Sequence, residues 1–430
     1  MHILIHGINF SPELTGIGKY SGEMAEWLSA QGHEVRVVTA QPYYPHWKVA
    51  EGYVNGWRVC RSGLNPTGSV SETQQCQDKP GHTLKHGSLV IYRCPLWVPS
   101  KPSGLKRLIH LASFALSSFP IMLRQIFWKP DVVWVVEPTL FSAPQAWLVA
   151  RLCGAQAWLH VQDFEVDAAF ELGILKSARL RKMILTLDRV LMRRFDVVST
   201  ISNKMLERLR LNGVDEQCIF SFPNWVNLDL IKPHVGQNSF RAEWAIADGQ
   251  VVVLYSGNMG EKQGLEIVLE VAAKLTGHAE IVFVLCGDGV AKTSLFAEFS
   301  HLTNVQWRSL QPLDKLNELL NLADIHLLPQ RADAAGLVMP SKLTGMLASG
   351  KPIVATALPE TQEVEVLKQC GLVVAPGEVD ALAEAILLLA GDVALRNSYG
   401  DKARAFAENH LGLELILSQF ERKLKLIIKN

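Results

Sequence analysis

The sequence predicts an α/β protein made of two doubly wound domains. Short β-branched runs alternate with amphipathic helical patterns, and this series occurs twice, on either side of a Pro- and Gly-containing stretch near residue 230. Strands and helices that alternate at this spacing are typical of βαβ units and parallel sheets. The chain has 430 residues, 48% of them hydrophobic, so each domain can bury a core of its own.

The first series of elements fills the N-terminal half. Its predicted strands cover 2–8, 34–39, 131–136, 156–161 and 196–201, and an amphipathic helix covers 20–30. The polar stretch 62–87 interrupts the alternation and predicts a loop or an insertion. We therefore assign residues 1–222 to a first domain.

A second series follows a predicted linker at 223–237. Its strands are predicted at 251–255, 281–285, 305–307, 325–328 and 352–356. The second domain then covers 238–405, and residues 406–430 form an amphipathic helix that can pack back on the first domain. Two such domains leave a cleft between the carboxyl ends of their strands, where α/β folds bind ligands.

The charge balance argues against a nucleic-acid partner. The 42 basic residues equal the 42 acidic ones. Residues 1–230 hold 24 Lys and Arg against 19 Asp and Glu, a net charge of +5, and residues 231–430 hold 18 against 23, a net charge of −5. A charge of +5 without a nucleic-acid motif is too weak for a protein whose affinity depends on phosphate contacts.

Cysteine usage and hydropathy indicate a cytoplasmic protein. The seven cysteines are widely spaced and include no C-x-x-C, a pattern that predicts neither a zinc site nor a disulfide framework. The first ten residues lack the pattern of a signal peptide. No stretch reaches the roughly 20 apolar residues that cross a bilayer.

The first predicted helix begins with a glycine loop. Gly16, Gly18 and Gly22 form G-x-G-x-x-x-G, which departs from the dinucleotide fingerprint, and no acidic residue follows the second strand. NAD binding is therefore not expected. Two interpretations of the loop stay open, an anion site at the helix N-terminus and a tight turn that only starts the helix.

Two more glycine turns follow successive strands of the second domain. The first contains Gly257, Asn258 and Lys262, and the second contains Gly287 and Gly289. Free N–H groups at strand ends, a helix dipole and a cation together favour a ligand of the size of a diphosphate.

A third anion signal stands at Ser341 and Lys342. Ser341 is placed to cap a helix, and a lysine in the first helical turn opposes the helix dipole. A bound anion explains a cation at this position, and the alternative is a solvated surface lysine.

These motifs together resemble the retaining GT-B-fold glycosyltransferases of family 4. The resemblance covers nearly the whole chain and is carried by PELTGIGKY, WLHVQD, YSGNMGEKQGLE, CGDG, ADIHLLP and PSKLTGMLASGKPIVAT. Within the family, the chain is most similar to colanic-acid-type exopolysaccharide glycosyltransferases. The resemblance implies two Rossmann-like domains that face each other across a cleft. It also implies transfer from a GDP- or UDP-linked sugar, fucose among the candidates, to a lipid-linked oligosaccharide on the cytoplasmic membrane face.

The resemblance also implies roles for individual residues. Gly16 and Gly18 would face the diphosphate and the sugar, the second domain would hold the nucleotide, and His160 would lie beside the transferred sugar. From the residues alone, His160 ends a predicted strand and could donate to the sugar or accept a proton near neutral pH, the alternative being a core histidine. Asp163 would orient His160 or bind the acceptor. Because no D-x-D is present and the family is typically metal-independent, neither a metal nor another cofactor is expected.

The chain departs from the family pattern at the donor site. The two family glutamates correspond to Leu337 and Gly345, and the usual Arg and Lys of the phosphate loop correspond to Asn258 and Gln263. Lys262 and Lys342 would then supply the positive charge. These losses leave a GT-B-fold epimerase or phosphorylase and an inactive scaffold as alternatives to a transferase.

Basic residues predict contact with an anionic membrane surface. They flank the apolar stretch 108–123 and recur along a second helical pattern at 179–194. An apolar helix with basic ends can lie in a membrane interface. The alternatives are a buried core helix and a solvated charged face. With a lipid-linked acceptor implied, we expect peripheral association with the inner face of the cytoplasmic membrane.

Overall fold

The computed structural model describes residues 1–13, 16–62, 87–100, 104–136, 141–163, 178–234, 236–332, 341–359 and 361–429. The chain divides into two compact units. The first unit comprises Met1–Phe222 together with Leu417–Asn430, and the second comprises Pro223–Ile416.

The first unit contains an eight-stranded sheet in the order β3-β4-β2-β1-β5-β6-β7-β8. Its strands are β1 (His2–His6), β2 (Glu34–Ala40), β3 (Arg58–Ser62), β4 (Leu89–Cys94), β5 (Val132–Val136), β6 (Gln156–Val161), β7 (Val197–Thr200) and β8 (Ile219–Ser221). Its helices are α1 (Ile17–Ala30), α2 (Gly104–Gln125), α3 (Ala143–Cys153), α4 (Ala178–Met192) and α5 (Asn203–Leu211). All strand pairs are parallel except β3 with β4.

The second unit contains a six-stranded parallel sheet in the order β11-β10-β9-β12-β13-β14. Its strands are β9 (Val251–Ser256), β10 (Ile281–Cys286), β11 (Val305–Arg308), β12 (Ile325–Leu328), β13 (Ile353–Thr356) and β14 (Gly371–Val374). Its helices are α6 (Ser239–Glu243), α7 (Leu265–Lys274), α8 (Lys292–Phe299), α9 (Leu316–Leu322), α10 (Ser341–Ala348), α11 (Gln362–Cys370), α12 (Val379–Gly391) and α13 (Val393–His410). This strand order reverses between β9 and β12, the point at which doubly wound sheets bind ligands.

The boundary between the units differs from the predicted linker. Val226 and Ile231, which fall in the predicted linker, are buried in a core of the second unit together with Leu347 and Ala407. The Val226 N–H also donates to the Leu411 carbonyl at 2.8 Å. Prolines break the helical pattern here, and the segment is held to the second unit by Val226 and Ile231 although Leu230 between them is 67% exposed.

The C-terminal amphipathic pattern forms α14 (Leu413–Lys429). The predicted start at residue 406 falls inside α13, because Ala403 and Ala407 are buried in the second unit. From Leu417 onward the chain belongs to the first unit. Phe420 is fully buried there, with ring centroids 4.6 Å from Phe222 and 4.9 Å from Trp158.

Cysteine pairing differs from the sequence expectation at one position. Cys60, on edge strand β3, is disulfide-bonded. The other described cysteines are free. The sequence predicts no disulfide framework, and the disulfide at Cys60 departs from that expectation. Within the described ranges, no helix combines the length and hydropathy needed to cross a membrane.

Candidate active site

The first glycine loop of the N-terminal unit presents one glycine to solvent and one to the protein. Gly16 precedes α1 with a φ of 60°, is exposed, and would have no atom within 4 Å of an added Cβ. Gly18 is buried, and a Cβ there would lie 2.8 Å from the Cβ of Glu13. A predicted ligand-facing role therefore suits Gly16, whereas the small size of Gly18 makes room for Glu13.

Glu13 shapes this loop and is not apparent from the sequence. Its side chain is buried and accepts hydrogen bonds from the backbone N–H groups of Tyr43 and Tyr44, both at 3.0 Å, and from Asn9 Nδ2 at 2.8 Å. Burial raises the pKa of the Glu13 carboxyl. From the sequence alone, a glutamate in a polar loop is expected to be solvated. In the tertiary structure, Glu13 links the loop that follows β1 to the loop that follows β2.

His160 is a neutral, fully engaged histidine at the end of β6. It is 1% exposed, and its ring stacks on Trp134 with centroids 5.4 Å apart. Gln162 Nε2 donates to His160 Nε2 at 2.9 Å, so Nδ1 carries the proton and donates to Ser199 Oγ at 2.8 Å. Burial lowers the pKa of His160 to about 3. Proton acceptance near neutral pH is therefore wrong for this environment, and contact with the transferred sugar stays a prediction.

Asp163 lies two residues beyond β6 and is exposed. Its predicted role toward His160 or the acceptor stays a prediction, because the neighbouring acidic residues fall outside the described part of the chain. The His160 ring donates to Ser199 Oγ and accepts from Gln162 Nε2.

The two glycine turns of the second unit meet backbone to backbone. The Gly257 N–H donates to the Cys286 carbonyl at 2.9 Å, continuing the pairing of β9 with β10 past the strand ends. A Cβ at Gly287 would lie 2.9 Å from the Gly257 carbonyl carbon, and a Cβ at Gly289 would lie 2.7 Å from Asn258 Oδ1. The predicted glycines of this unit are thus brought together at the carboxyl edge of the sheet.

Lys342 reaches this edge from the first turn of α10. Its Nζ donates to the Tyr255 hydroxyl at 2.7 Å and lies 4.3 Å from the centroid of the same ring. A Cβ at Gly257 would lie 2.7 Å from Nζ, so the glycine makes room for the lysine. Burial lowers the pKa of Lys342 to about 8. The alternative of a solvated surface lysine is therefore wrong, while Ser341 beside it is exposed.

Other cations and polar groups surround the same turns. Lys262 and Asn258 are exposed, and the Lys262 carbonyl accepts from the Arg331 N–H at 3.3 Å. A Cβ at Gly264 would lie 2.8 Å from Arg331 Cγ, so a second basic side chain runs past a glycine of this loop. Sequence reasoning missed Arg331, although its place just after β12 was a usable signal.

Two positions that depart from the family pattern have structural roles in the second unit. Gln263 Oε1 accepts from the Gly260 N–H at 3.0 Å and so stabilises the loop itself. Gly345 lies half-buried on α10, where an added Cβ would sit 3.3 Å from Leu320 Cδ1. Leu337 falls outside the described residues.

Comparisons with known proteins agree with this architecture. Residues 15–225 match the family described as glycosyl transferase 4-like domain, and residues 236–406 match glycosyl transferases group 1. The chain is also 41% identical, over 98% of both sequences, to WcaI of Escherichia coli (strain K12), which is named a colanic acid biosynthesis glycosyl transferase. The chain belongs to the 4-like glycosyltransferase family. It is therefore an enzyme that transfers a glycosyl group.

Solved structures confirm the fold of this glycosyltransferase. Sucrose-phosphate synthase from Thermosynechococcus elongatus superposes with a TM-score of 0.73 at 16% identity, covering 100% of this chain and 99% of that one. HepE of Anabaena in complex with UDP-glucose superposes with a TM-score of 0.65 at 14% identity and 99% coverage of both chains. The predicted GT-B class, with two Rossmann-like domains, is confirmed.

Proposed function

We propose that this glycosyltransferase moves a sugar, with retention of anomeric configuration, from a nucleoside diphosphate donor to a lipid-linked saccharide during exopolysaccharide assembly. The observation that carries the donor part is Lys342, an ammonium held over Gly257 at the carboxyl edge of the second sheet. Among the described residues no carboxylate pairs with it. A partly buried cation with which no described carboxylate pairs favours binding of an anion.

The donor diphosphate fits the chemistry of this edge. The N-terminus of α10 supplies partial positive charge and Lys342 supplies a full one, whereas the Gly257 and Gly287 N–H groups already donate to backbone carbonyls. In the proposed reaction the bond from the anomeric carbon to the phosphate oxygen breaks, and a bond to the acceptor oxygen forms on the same face. The acceptor proton passes to the departing phosphate, since the Nε2 lone pair of His160 already accepts from Gln162 and burial lowers the pKa of the imidazole. Fixed donors would stabilise the charge that develops on the leaving diphosphate.

Two relationships to known glycosyltransferases indicate which donors to test. HepE was solved with UDP-glucose, which favours a UDP-sugar, and the family resemblance of the sequence adds the fucosyl donor GDP-fucose as the second candidate. A thermal-shift panel of UDP-, GDP- and dTDP-sugars separates them, because a ligand at about 100 times its Kd stabilises by about 2.7 kcal/mol. No shift with any nucleotide would contradict the donor site.

A transfer assay separates the transferase from the alternatives. Labelled sugar should enter the organic-extractable fraction only when membranes with lipid-linked acceptor are present. An epimerase would convert the donor without the acceptor, and an inactive scaffold would produce neither outcome.

The lipid-linked acceptor is supported by the exposed face of α2. Leu105, Ile109 and Leu116 are 69%, 48% and 77% exposed, while Phe114 and Met122 on the opposite face are buried. The core-helix alternative explains only the buried face. Residues 88–130 contain no Asp or Glu and six Lys or Arg. A row of exposed apolar side chains, in a segment whose charged residues are all basic, fits an anionic bilayer surface.

A second helix carries a similar face. On α4, Met183 and Leu187 are 62% and 60% exposed, and Arg179 and Lys182 lie beside them. We propose that both helices contact the inner face of the cytoplasmic membrane.

Vesicle sedimentation tests the membrane proposal. The enzyme should sediment with vesicles that contain anionic lipid at low salt, and Leu116→Glu should reduce the bound fraction. Leu211→Glu is the matched control, because Leu211 is 78% exposed but lies on α5. Full recovery of the wild-type enzyme in the supernatant would contradict membrane association.

A further inference from the structure

Tyr255 lies beneath the proposed donor site without reaching the surface. It occupies the carboxyl end of β9 and is 1% exposed. Its hydroxyl donates to the Asn258 carbonyl and accepts from Lys342 Nζ at 2.7 Å. The Tyr255 hydroxyl, as donor and as acceptor, therefore links the Gly257–Asn258 turn to the lysine on α10.

The contacts of Lys342 keep its charge available to a ligand. The ammonium is held by a hydroxyl and by the face of an aromatic ring 4.3 Å away, both of which are neutral. A carboxylate at this place would neutralise the lysine, but a phenol and a ring orient it without cancelling its charge. Burial raises the pKa of the Tyr255 phenol, so the hydroxyl keeps its proton.

We propose that Tyr255 is a positioning residue for donor binding, whose hydroxyl fixes the Lys342 ammonium over the Gly257–Asn258 turn where the donor diphosphate binds. This inference rests on the proposed function. Tyr255 acts through Lys342 and touches no substrate itself. Without the hydroxyl, the lysine would keep its ring contact but lose its hydrogen-bond acceptor.

The surroundings of Lys342 make the expected titration simple. The elements packed against it are β9, the turn at Gly257 and α10. Tyr255 is a titratable side chain in contact with it, and no described carboxylate forms an ion pair with it. Burial alone lowers the pKa of Lys342 to about 8. Removing the acceptor from the ammonium should lower that pKa further, because the charged form loses a stabilising partner.

Tyr255→Phe in the full-length enzyme tests the inference, with UDP and GDP as separate probes in titration calorimetry. We expect the Kd of the bound nucleotide to rise about tenfold, as for loss of a hydrogen bond to a charged group. The fall in affinity at alkaline pH should also begin at a lower pH than in the wild type. Tyr399→Phe is the control, since Lys402 lies over that ring at 5.8 Å outside the proposed site. It should bind like the wild type.

A double-mutant cycle separates action through Lys342 from action through the turn. In a Lys342→Met background, Tyr255→Phe should change the nucleotide Kd by less than about twofold. An equal loss in both backgrounds would show that Tyr255 acts through Asn258, and it would overturn the inference. Wild-type affinity and pH dependence in Tyr255→Phe, with an unchanged Tm, would overturn it as well. A wild-type enzyme that binds neither UDP nor GDP would instead remove the proposed donor site.

Discussion

The absence of a side chain at Gly257 leaves space for the Lys342 ammonium, and substitution of Gly257 tests this role. An alanine there would put a Cβ 2.7 Å from Lys342 Nζ, so the lysine must move and lose its 2.7 Å hydrogen bond to Tyr255. A hydrogen bond to a charged group contributes about 1.5–3 kcal/mol. If the displaced lysine also leaves the diphosphate, the Kd for UDP or GDP should rise by about 10- to 150-fold.

The assay for Gly257→Ala is nucleotide binding by calorimetry, together with urea unfolding. Gly257 has a φ of 127°, so alanine also costs about 1–2 kcal/mol of stability through backbone strain. Gly249→Ala is the matched control, because Gly249 has a φ of 87° in the same unit and no atom within 4 Å of an added Cβ. The control should lose stability and keep nucleotide affinity.

Two results would refute this reasoning. The first is a Gly257→Ala enzyme that binds nucleotide as tightly as the wild type. The second is weak binding that still falls above pH 8 as in the wild type, which would show that the methyl group blocks the ligand and leaves Lys342 in place.

Three further predictions follow from burial and charge. Wild-type nucleotide affinity should be constant between about pH 7 and pH 8, where the terminal phosphate is fully ionised, and should fall at higher pH because Lys342 loses its proton; a flat profile to pH 10 would contradict the role of the ammonium. The His160 imidazole NMR signals should not titrate between pH 5 and 8, and a midpoint near 6.5 would contradict the burial argument. Phe420→Ala should lower the free energy of unfolding by about 3–5 kcal/mol, whereas Leu426→Ala, at an exposed site, should change it by less than about 0.5 kcal/mol.

The fold was predictable where local patterns and tertiary structure agree. The β-branched runs that become β1, β9 and β10 are buried on both faces, which is why they read as continuous apolar strands. Strand β4 was missed because its short run follows a long polar stretch, and its identity depends on pairing with β2. Short strands of this kind depend on neighbouring strands that the sequence does not show.

The sequence predicts which loops form the candidate site, but it does not predict the side-chain contacts within them. Lys342 stood out because a cation in a first helical turn conflicts with local electrostatics, and such conflicts mark functional positions. Tyr255 gave no such signal, since a tyrosine in a strand is ordinary. Gly18 and His160 were assigned from motif position alone, and their environments depend on Glu13 and Ser199, which come from other elements.

The path of α14 has a consequence for how the enzyme is made. The second unit is one continuous segment, whereas the first is interrupted and includes residues 417–429. During synthesis, the strands of the first unit leave the ribosome before any of the second, and domains generally fold as they emerge. Trp158 and Phe222 nevertheless cannot complete their packing until Phe420 has been synthesised. The unit that is synthesised first is therefore the last to be completed, and a chain cut after residue 416 would retain an intact second unit beside an unfinished first one.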